Sequence, residues 1–433
     1  MPAAPLNEDA RPLTLEITRR AADRLRAGHL WVYRSDVAPA RSPSPPGGSV
    51  VTAVDSRGMA LGSGLYSSAS EIALRVVSPQ PGLTRAAYLA ELRTRLHSAL
   101  ELRRALVPEA DWLAPGPGPA AGGPKTDACR LVFSEADALP GIILDRYAGL
   151  AVLQLVTQGT AQADVRDAVA EVLADRPWAA TLVERGDGRL RELEQIDTPP
   201  IQTLWSRNPG DASLQTTFTI NDLRFAFDAA AGQKTGAFLD QRLNYAAAAG
   251  WAKSLDRTGR ALDVCTYQGG FALHLARVCD RVTGVDASRA ALEIADRNHD
   301  SNASQLRAAP DWVEADAFEL LRDWQEGGQR FDTIVLDPPA FAKTKRAVEG
   351  ALRGYKELNL RAMRMLSPGG LLVTCSCSFH VSLEDFTEVL RAAAVDCGRR
   401  VQLLDVRGAA PDHPAVLTLP ETRYLKCLVC SVS

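Results

Sequence analysis

Asp263-Val264-Cys265-Thr266-Tyr267-Gln268-Gly269-Gly270 is the stretch that decides how this chain folds. Residues 261–266 are a short, mostly apolar run, and residues 271–278 have helical spacing, so the stretch reads as the turn from a strand into a helix. Gly269 and Gly270 let backbone approach a ligand where a Cβ would collide. The next apolar run, 281–286, ends in Asp286, about 23 residues after Asp263. That is the distance at which an acid meets ribose hydroxyls in nucleotide-binding βαβ units. Asp263, Thr266, Gly269, Gly270 and Asp286 are therefore candidate ligand residues.

Working outward, strand-like runs at 261–266, 281–286, 312–315, 333–336 and 370–375 alternate with helical spacing at 271–278, 290–298, 318–324 and 348–365. The alternation predicts a doubly wound, Rossmann-like parallel sheet. After a helix at 383–394, runs at 401–406 and 424–431 follow with no clear helix between them, so an antiparallel hairpin is expected to close the sheet. A dinucleotide-binding sheet would stay parallel to its edge, and the full G-x-G-x-x-G is absent. The ending favours a methyltransferase sheet, with S-adenosylmethionine as cofactor. One acid at a strand end is an ordinary helix cap. Four in succession, Asp263, Asp286, Asp316 and Asp337, point to a ligand, with Asp316 a candidate for the adenine edge. Asp337-Pro338-Pro339 makes a rigid turn that suits the placement of a flat base, although prolines also simply punctuate strands. The fifth run leads into Thr374-Cys375-Ser376-Cys377-Ser378. Cys375 should still lie within the sheet while Cys377 emerges beyond it, where ligands of open α/β sheets bind.

Three segments separate by composition: 12–80, rich in short strands; 81–213, a small α+β unit; and 214–433, the α/β domain. Within 12–80 the runs 13–17, 30–33, 49–54, 60–66 and 71–77 are strand-like. A helix at 86–106 follows, and 108–127 contains a Pro/Gly-rich stretch, 114–125, expected to be a flexible insertion. Strands at 142–147, 150–156 and 180–184 and a helix near 165–173 complete the middle segment.

The chain has 433 residues, 46% of them hydrophobic, and a net charge of -3, which suits a soluble globular protein and does not announce a nucleic-acid binder. No apolar run reaches the roughly 18 residues needed to span a bilayer, so no membrane partner is expected. The early residues lack a secretory h-region. Eight scattered cysteines suit reduced thiols in a cytoplasm, and Cys427-Leu-Val-Cys430 would face opposite sides of a strand, which argues for core over metal. Cys265, Cys279 and Cys397 read as buried small hydrophobes. Two basic runs remain. Residues 343–364 hold Lys343, Lys345, Arg346, Arg353, Lys356, Arg361 and Arg364 against Glu349 and Glu357, and 11–34 hold six arginines against Glu16 and Asp23. Both could be solvated faces or contacts for RNA phosphates.

At these residues the chain resembles the bacterial class I methyltransferases that make 5-methylcytosine in large-subunit ribosomal RNA. The resemblance rests on Arg26-Ala-Gly-His-Leu-Trp-Val32, Ser134-Glu-Ala-Asp-Ala-Leu-Pro-Gly141, Gly232-Gln-Lys-Thr-Gly-Ala-Phe-Leu-Asp-Gln-Arg242, Asp337-Pro-Pro-Ala-Phe-Ala-Lys343, Gly354-Tyr-Lys-Glu-Leu-Asn359 and Ser376-Cys-Ser378. It implies a PUA-like RNA-binding domain, a central α+β domain and a C-terminal methyltransferase domain. It also implies that Lys234, Thr235, Asp240 and Arg242 frame the cofactor, that Cys377 is the nucleophile, that Asp337 serves the base, and that ribosomal RNA is the partner. Related RNA cytosine-5 enzymes carry a cysteine after the paired prolines, where this chain has Ala340. The group that assists product release is therefore unassigned. Two other readings stand beside this one: methylation of a nitrogen, which Asp-Pro-Pro can also serve and which needs no cysteine, and a non-catalytic RNA-binding assembly factor.

Overall fold

A computed structural model of the protein describes residues 13–39, 44–108, 110, 112, 125–208, 210, 213–230 and 236–433. The expected insertion at 114–125, apart from Lys125, lies outside the described residues, as does Arg11. The chain groups into two units. One comprises 1–117, 130–214 and 415–420, and the other 118–129, 215–414 and 421–433.

The first unit carries two five-stranded sheets. In spatial order the N-terminal sheet runs Thr14–Glu16, Val50–Val54, Ala60–Tyr66, Ile72–Ser78, Trp31–Tyr33. Leu15, Ile17, Val32, Val51, Ala53, Tyr66 and Leu74 fill its core together with Ala21 and Ala22. Those two alanines belong to a helix, Arg19–Arg26, that was not expected because its residues are mostly charged. Thr18 caps it by accepting from the Ala21 amide, and Asp23 pairs with Arg19 and Arg26, one turn away on either side, on its outer face. The second sheet runs Gln202–Ser206, Thr181–Glu184, Leu150–Leu155, Ile142–Tyr147, Ala128–Phe133. The helices Arg85–Leu106 and Ala163–Ala174 bury their apolar faces in this unit. Sequence reading had found the three inner strands and neither edge strand.

In the second unit seven strands form one sheet. In chain order they are Arg260–Val264, Arg281–Asp286, Asp311–Glu314, Phe331–Leu336, Leu366–Ser376, Val401–Arg407 and Lys426–Val432. Their spatial order is third, second, first, fourth, fifth, seventh, sixth. The first five are parallel, and the seventh is antiparallel to both the fifth and the sixth. The sheet is thus class I methyltransferase-like, with the expected antiparallel ending. Helices Val348–Met365 and Leu383–Cys397 bury Tyr355, Leu358, Met363, Phe386 and Leu390 with Leu262, Ile334, Leu336 and Leu372 of the sheet. An antiparallel hairpin, Gln215–Ile220 with Leu223–Asp228, precedes the sheet. Because the parallel strands are in register, Val264, Asp286, Leu336 and Ser376 end along one edge, and whatever follows each strand converges there.

Candidate active site

A cavity of about 370 Å³ opens at that edge. Among its lining residues are Asp240, Gln241, Thr266, Tyr267, Gly270, Asp286, Asp316, Asp337, Pro338 and Cys377. The first strand stops at Val264, two residues before the expected end, because the chain turns sharply. Cys265 (φ 64°), Tyr267 (φ 50°) and Gly269 (φ 85°) all take left-handed backbone. Non-glycine residues held there cost of order 1–3 kcal/mol each, and such strain gathers at sites where the surroundings fix it. Here Asp286 supplies the fixing: its carboxylate accepts from the Tyr267 amide and the Ser288 amide, both at 2.9 Å. The Tyr267 hydroxyl donates to the Gly236 carbonyl at 3.0 Å, and its ring meets Phe238 edge-on.

The two glycines have different reasons from those the sequence suggested. Gly269 is required by its positive φ, and a Cβ on Gly270 would stand 2.5 Å from the Tyr245 ring. Gly270 lines the cavity and Gly269 does not. Asp263 is fully buried beneath the turn, where it accepts from the Thr266 hydroxyl at 2.5 Å and the Ala272 amide at 2.9 Å. Burial pushes its carboxyl up to about 7. It is therefore the brace of the turn, outside the cavity wall, while Thr266 reaches the wall. Asp316 lines the cavity and also caps the helix Ala317–Glu326, accepting from the Phe318 and Glu319 amides.

Of the four residues implied only by resemblance, Lys234 and Thr235 lie outside the described residues. Asp240 lines the cavity, accepts from the Tyr424 hydroxyl, and has its second oxygen buried with no partner among the described residues. Arg242 is buried against Asp412 at 3.1 Å and does not reach the cavity wall. Gln241, which sequence reading quoted without a role, donates to Asp337 at 3.0 Å and is itself held by Asn244.

The two cysteines of the fifth strand separate as expected. Cys375 is fully buried opposite Cys427, and burial pushes its thiol well above the usual range. Cys377 lies just past the strand end, half-buried in the cavity wall, with its Sγ 3.9 Å from the Pro338 carbonyl. Ser378 clamps this segment. Its hydroxyl meets the Ala342 amide at 3.1 Å and the Tyr355 hydroxyl at 2.9 Å, and its carbonyl accepts from Lys426. Cys265 packs against the core as expected and also lines the cavity, where burial raises its thiol far above the usual range.

The cavity fits a cationic nucleotide-like ligand. Four carboxylates, Asp240, Asp286, Asp316 and Asp337, face it beside Phe218, Phe225, Phe238, Tyr267 and Phe318, and the orphaned oxygen of Asp240 still needs a donor. Positive groups and a flat ring together satisfy such walls.

The basic runs are less free than their composition suggests. Arg20 and Arg24 bind Asp36 at 2.7 and 2.6 Å, and Arg26 binds Asp55 at 2.6 Å, acids outside the window in which charge was counted. In the second run Arg353, Lys356 and Arg361 pair with Glu349, Asp396 and Glu357. Lys343, Lys345 and Arg346, beside the cavity loop, enter no ion pair among the described residues.

Comparison with known proteins agrees with this geometry. Residues 157–416 match the S-adenosylmethionine-dependent methyltransferase family, and residues 15–79 match a PUA-like domain. The ribosomal RNA large subunit methyltransferase I of Enterobacter sp. is 33% identical over 96% of this chain and 99% of its own length. The Escherichia coli K12 protein of the same name is 34% identical over 93% and 95%. A Streptococcus mutans protein described as a SAM-dependent methyltransferase superposes with a TM-score of 0.76, at 17% identity, over 97% of this chain and 100% of its own. That last likeness bears on the fold alone.

Proposed function

The chain belongs to the S-adenosylmethionine-dependent methyltransferases, among the ribosomal RNA large subunit methyltransferase I proteins, and on that premise we propose that it methylates carbon 5 of a cytosine in large-subunit ribosomal RNA. Bound S-adenosylmethionine supplies an electrophilic methyl group. Asp286 and Asp316 are suited to its ribose and adenine edge, and Asp240 to its ammonium. Carbon 5 of cytosine is too electron-poor to take that methyl unaided. The thiolate of Cys377 adds at carbon 6, forming a C–S bond and moving electron density to carbon 5 and the ring nitrogen. Asp337, held by Gln241, is placed to carry or share the proton at that nitrogen. After carbon 5 has taken the methyl group, loss of its proton expels Cys377 and restores the ring.

The observation that carries this reading is the position of Cys377: one residue beyond the sheet, in a cavity wall that Asp337 also lines, with its Sγ 3.9 Å from the Pro338 carbonyl. A nitrogen-directed enzyme would have no use for it. The test is nucleoside mass spectrometry of ribosomal RNA treated with the purified protein and S-adenosylmethionine. 5-Methylcytidine is expected. A methyl group on nitrogen, or transfer that survives Cys377→Ala, overturns the proposal.

A further inference from the structure

Lys426 has no part in the scheme above, yet it is placed beside the segment that carries its central residue. It begins the seventh strand and pairs in register with Ser376, the residue before Cys377. Its Nζ donates to the carbonyl of Ser378, the residue after Cys377, at 2.6 Å, and to the Tyr424 carbonyl at 2.8 Å. The ammonium therefore holds the far end of the short segment that carries Cys377, and the described residues supply acceptors for two of its three donors. It is only 6% exposed. Burying an ammonium costs free energy unless a negative charge accompanies it, and carbonyl acceptors bring only partial charge. A methionine of similar length would complete the strand without that cost, so packing alone does not account for a lysine here.

We propose that Lys426 is a positioning residue for the reaction, a fixed positive charge against which Cys377 becomes and remains a thiolate. The inference rests on the reading of Cys377 as the nucleophile. The surrounding groups make the assignment specific. From the helix Leu383–Cys397, Asp385 faces the lysine but is engaged in the capping box with Ser382. From the helix Val348–Met365 comes the Tyr355 hydroxyl, bound to Ser378. Asp337 approaches from the fourth strand and is held by Gln241. Within the fifth strand, Cys375 is a buried thiol, and His380 lies on the loop beyond. Among these described groups, Lys426 is the one that carries positive charge at neutral pH. Burial pulls its ammonium down to about 8, while Cys377 and Asp385 push it back up. The pairing is thus mutual: each charge keeps the other.

The experiment follows alkylation of Cys377 by iodoacetamide as a function of pH, read by mass spectrometry of the Cys377 peptide, in the unaltered protein and in Lys426→Met and Lys426→Arg. We expect the midpoint to rise by about one pH unit or more in Lys426→Met and to return in Lys426→Arg. At neutral pH, methylation by Lys426→Met should lose kcat with little change in KM for RNA or in S-adenosylhomocysteine affinity. An unmoved midpoint in a variant that still binds S-adenosylhomocysteine overturns the proposal. Should Lys426→Met fail to fold, the unaltered protein decides: a midpoint at or above about 8.5, that of an ordinary thiol, also overturns it. Failure of the underlying reading looks different. A Lys426-dependent midpoint with no covalent trapping of 5-fluorocytosine RNA leaves the Lys426–Cys377 pairing standing and removes Cys377 as nucleophile.

Discussion

The side-chain amide of Gln241 donates a 3.0 Å hydrogen bond to the carboxylate of Asp337, joining the residue before the helix Arg242–Ser254 to the end of the fourth strand. The bond occupies one lone pair of Oδ1 and helps orient the carboxylate, which lines the cavity. Gln241→Ala should lower kcat by roughly 10-fold, about the worth of one hydrogen bond to a charged group, with S-adenosylhomocysteine affinity little changed. Steady-state kinetics checks it. An equal loss in cofactor affinity would mean that Gln241 braces the whole pocket and not Asp337.

Cys377 and Cys375 are expected to behave oppositely. Cys377→Ala should abolish methylation while leaving cofactor binding intact, because its thiol stands in the cavity wall just past the strand end. Cys375→Ala removes a buried sulfur packed on Cys427 and should cost about 1 kcal/mol of stability while still turning over. RNA carrying 5-fluorocytosine at the target should form a covalent complex with the Cys375 variant and not with the Cys377 variant, as read on a denaturing gel.

Asp286 grips the turn through two backbone amides and faces the cavity with its remaining lone pairs. Asp286→Ala should weaken S-adenosylhomocysteine binding by about 2–4 kcal/mol, as two charge-assisted hydrogen bonds disappear. Calorimetry measures this directly. Unchanged affinity would place the ribose elsewhere.

For RNA, Lys343, Lys345 and Arg346 combine positive charge and a place beside the cavity with no acidic partner among the described residues. Replacing each with alanine should lower the slope of log affinity against log salt by roughly 0.7–0.9. Arg24→Ala should leave that slope unchanged and lower stability by about 1–2 kcal/mol, since Asp36 is buried and depends on its arginines. Filter binding across a salt series separates the two effects.

Asp263 makes a pH prediction. Its carboxyl is pushed up to about 7 by burial, with Asp286 adding to the shift and Thr266 and Ala272 opposing it. An unfolded aspartate titrates near about 3.9. The folded state therefore holds the proton more tightly, and the stability this contributes is complete below about pH 4 and lost as pH rises through about 7. Asp263→Asn removes the dependence. Its melting temperature should accordingly gain on that of the unaltered protein as pH is raised across this window. A constant difference would show that Asp263 stays charged throughout.

What sequence could and could not reveal follows from the range of each interaction. The helix Val348–Met365 and the strand Arg281–Asp286 were legible to the residue, because apolar spacing is a local signal. The helix Arg19–Arg26 was not: only Ala21, Ala22 and Leu25 among its eight residues are apolar, and its partners lie on distant strands. The edge strand Gln202–Ser206 escaped for a related reason, as its residues are exposed or half-exposed and carry no alternation. In the site, the strand-end residues Asp286, Asp337 and Cys377 could be found from position alone. Gln241 and Lys426 could not, because their roles exist only once segments 96 and 48 residues apart in sequence are brought together. The arginine run misled in the same way: Asp36 and Asp55, which quench it, lie beyond the window in which its charge was summed.

The slotting of Lys426–Val432 between two strands that precede it in the chain bears on how the protein comes into being. Synthesis delivers the fifth and sixth strands first, with a gap between them and their amides and carbonyls open to water or to other nascent chains. Only the last-made strand fills that gap, and it carries Lys426 to its place beside Cys377. A nascent chain that has passed residue 377 but not residue 426 therefore already holds its cysteine but not the charge proposed to arm it. On that proposal, translation order itself keeps a live nucleophile off the unfinished polypeptide.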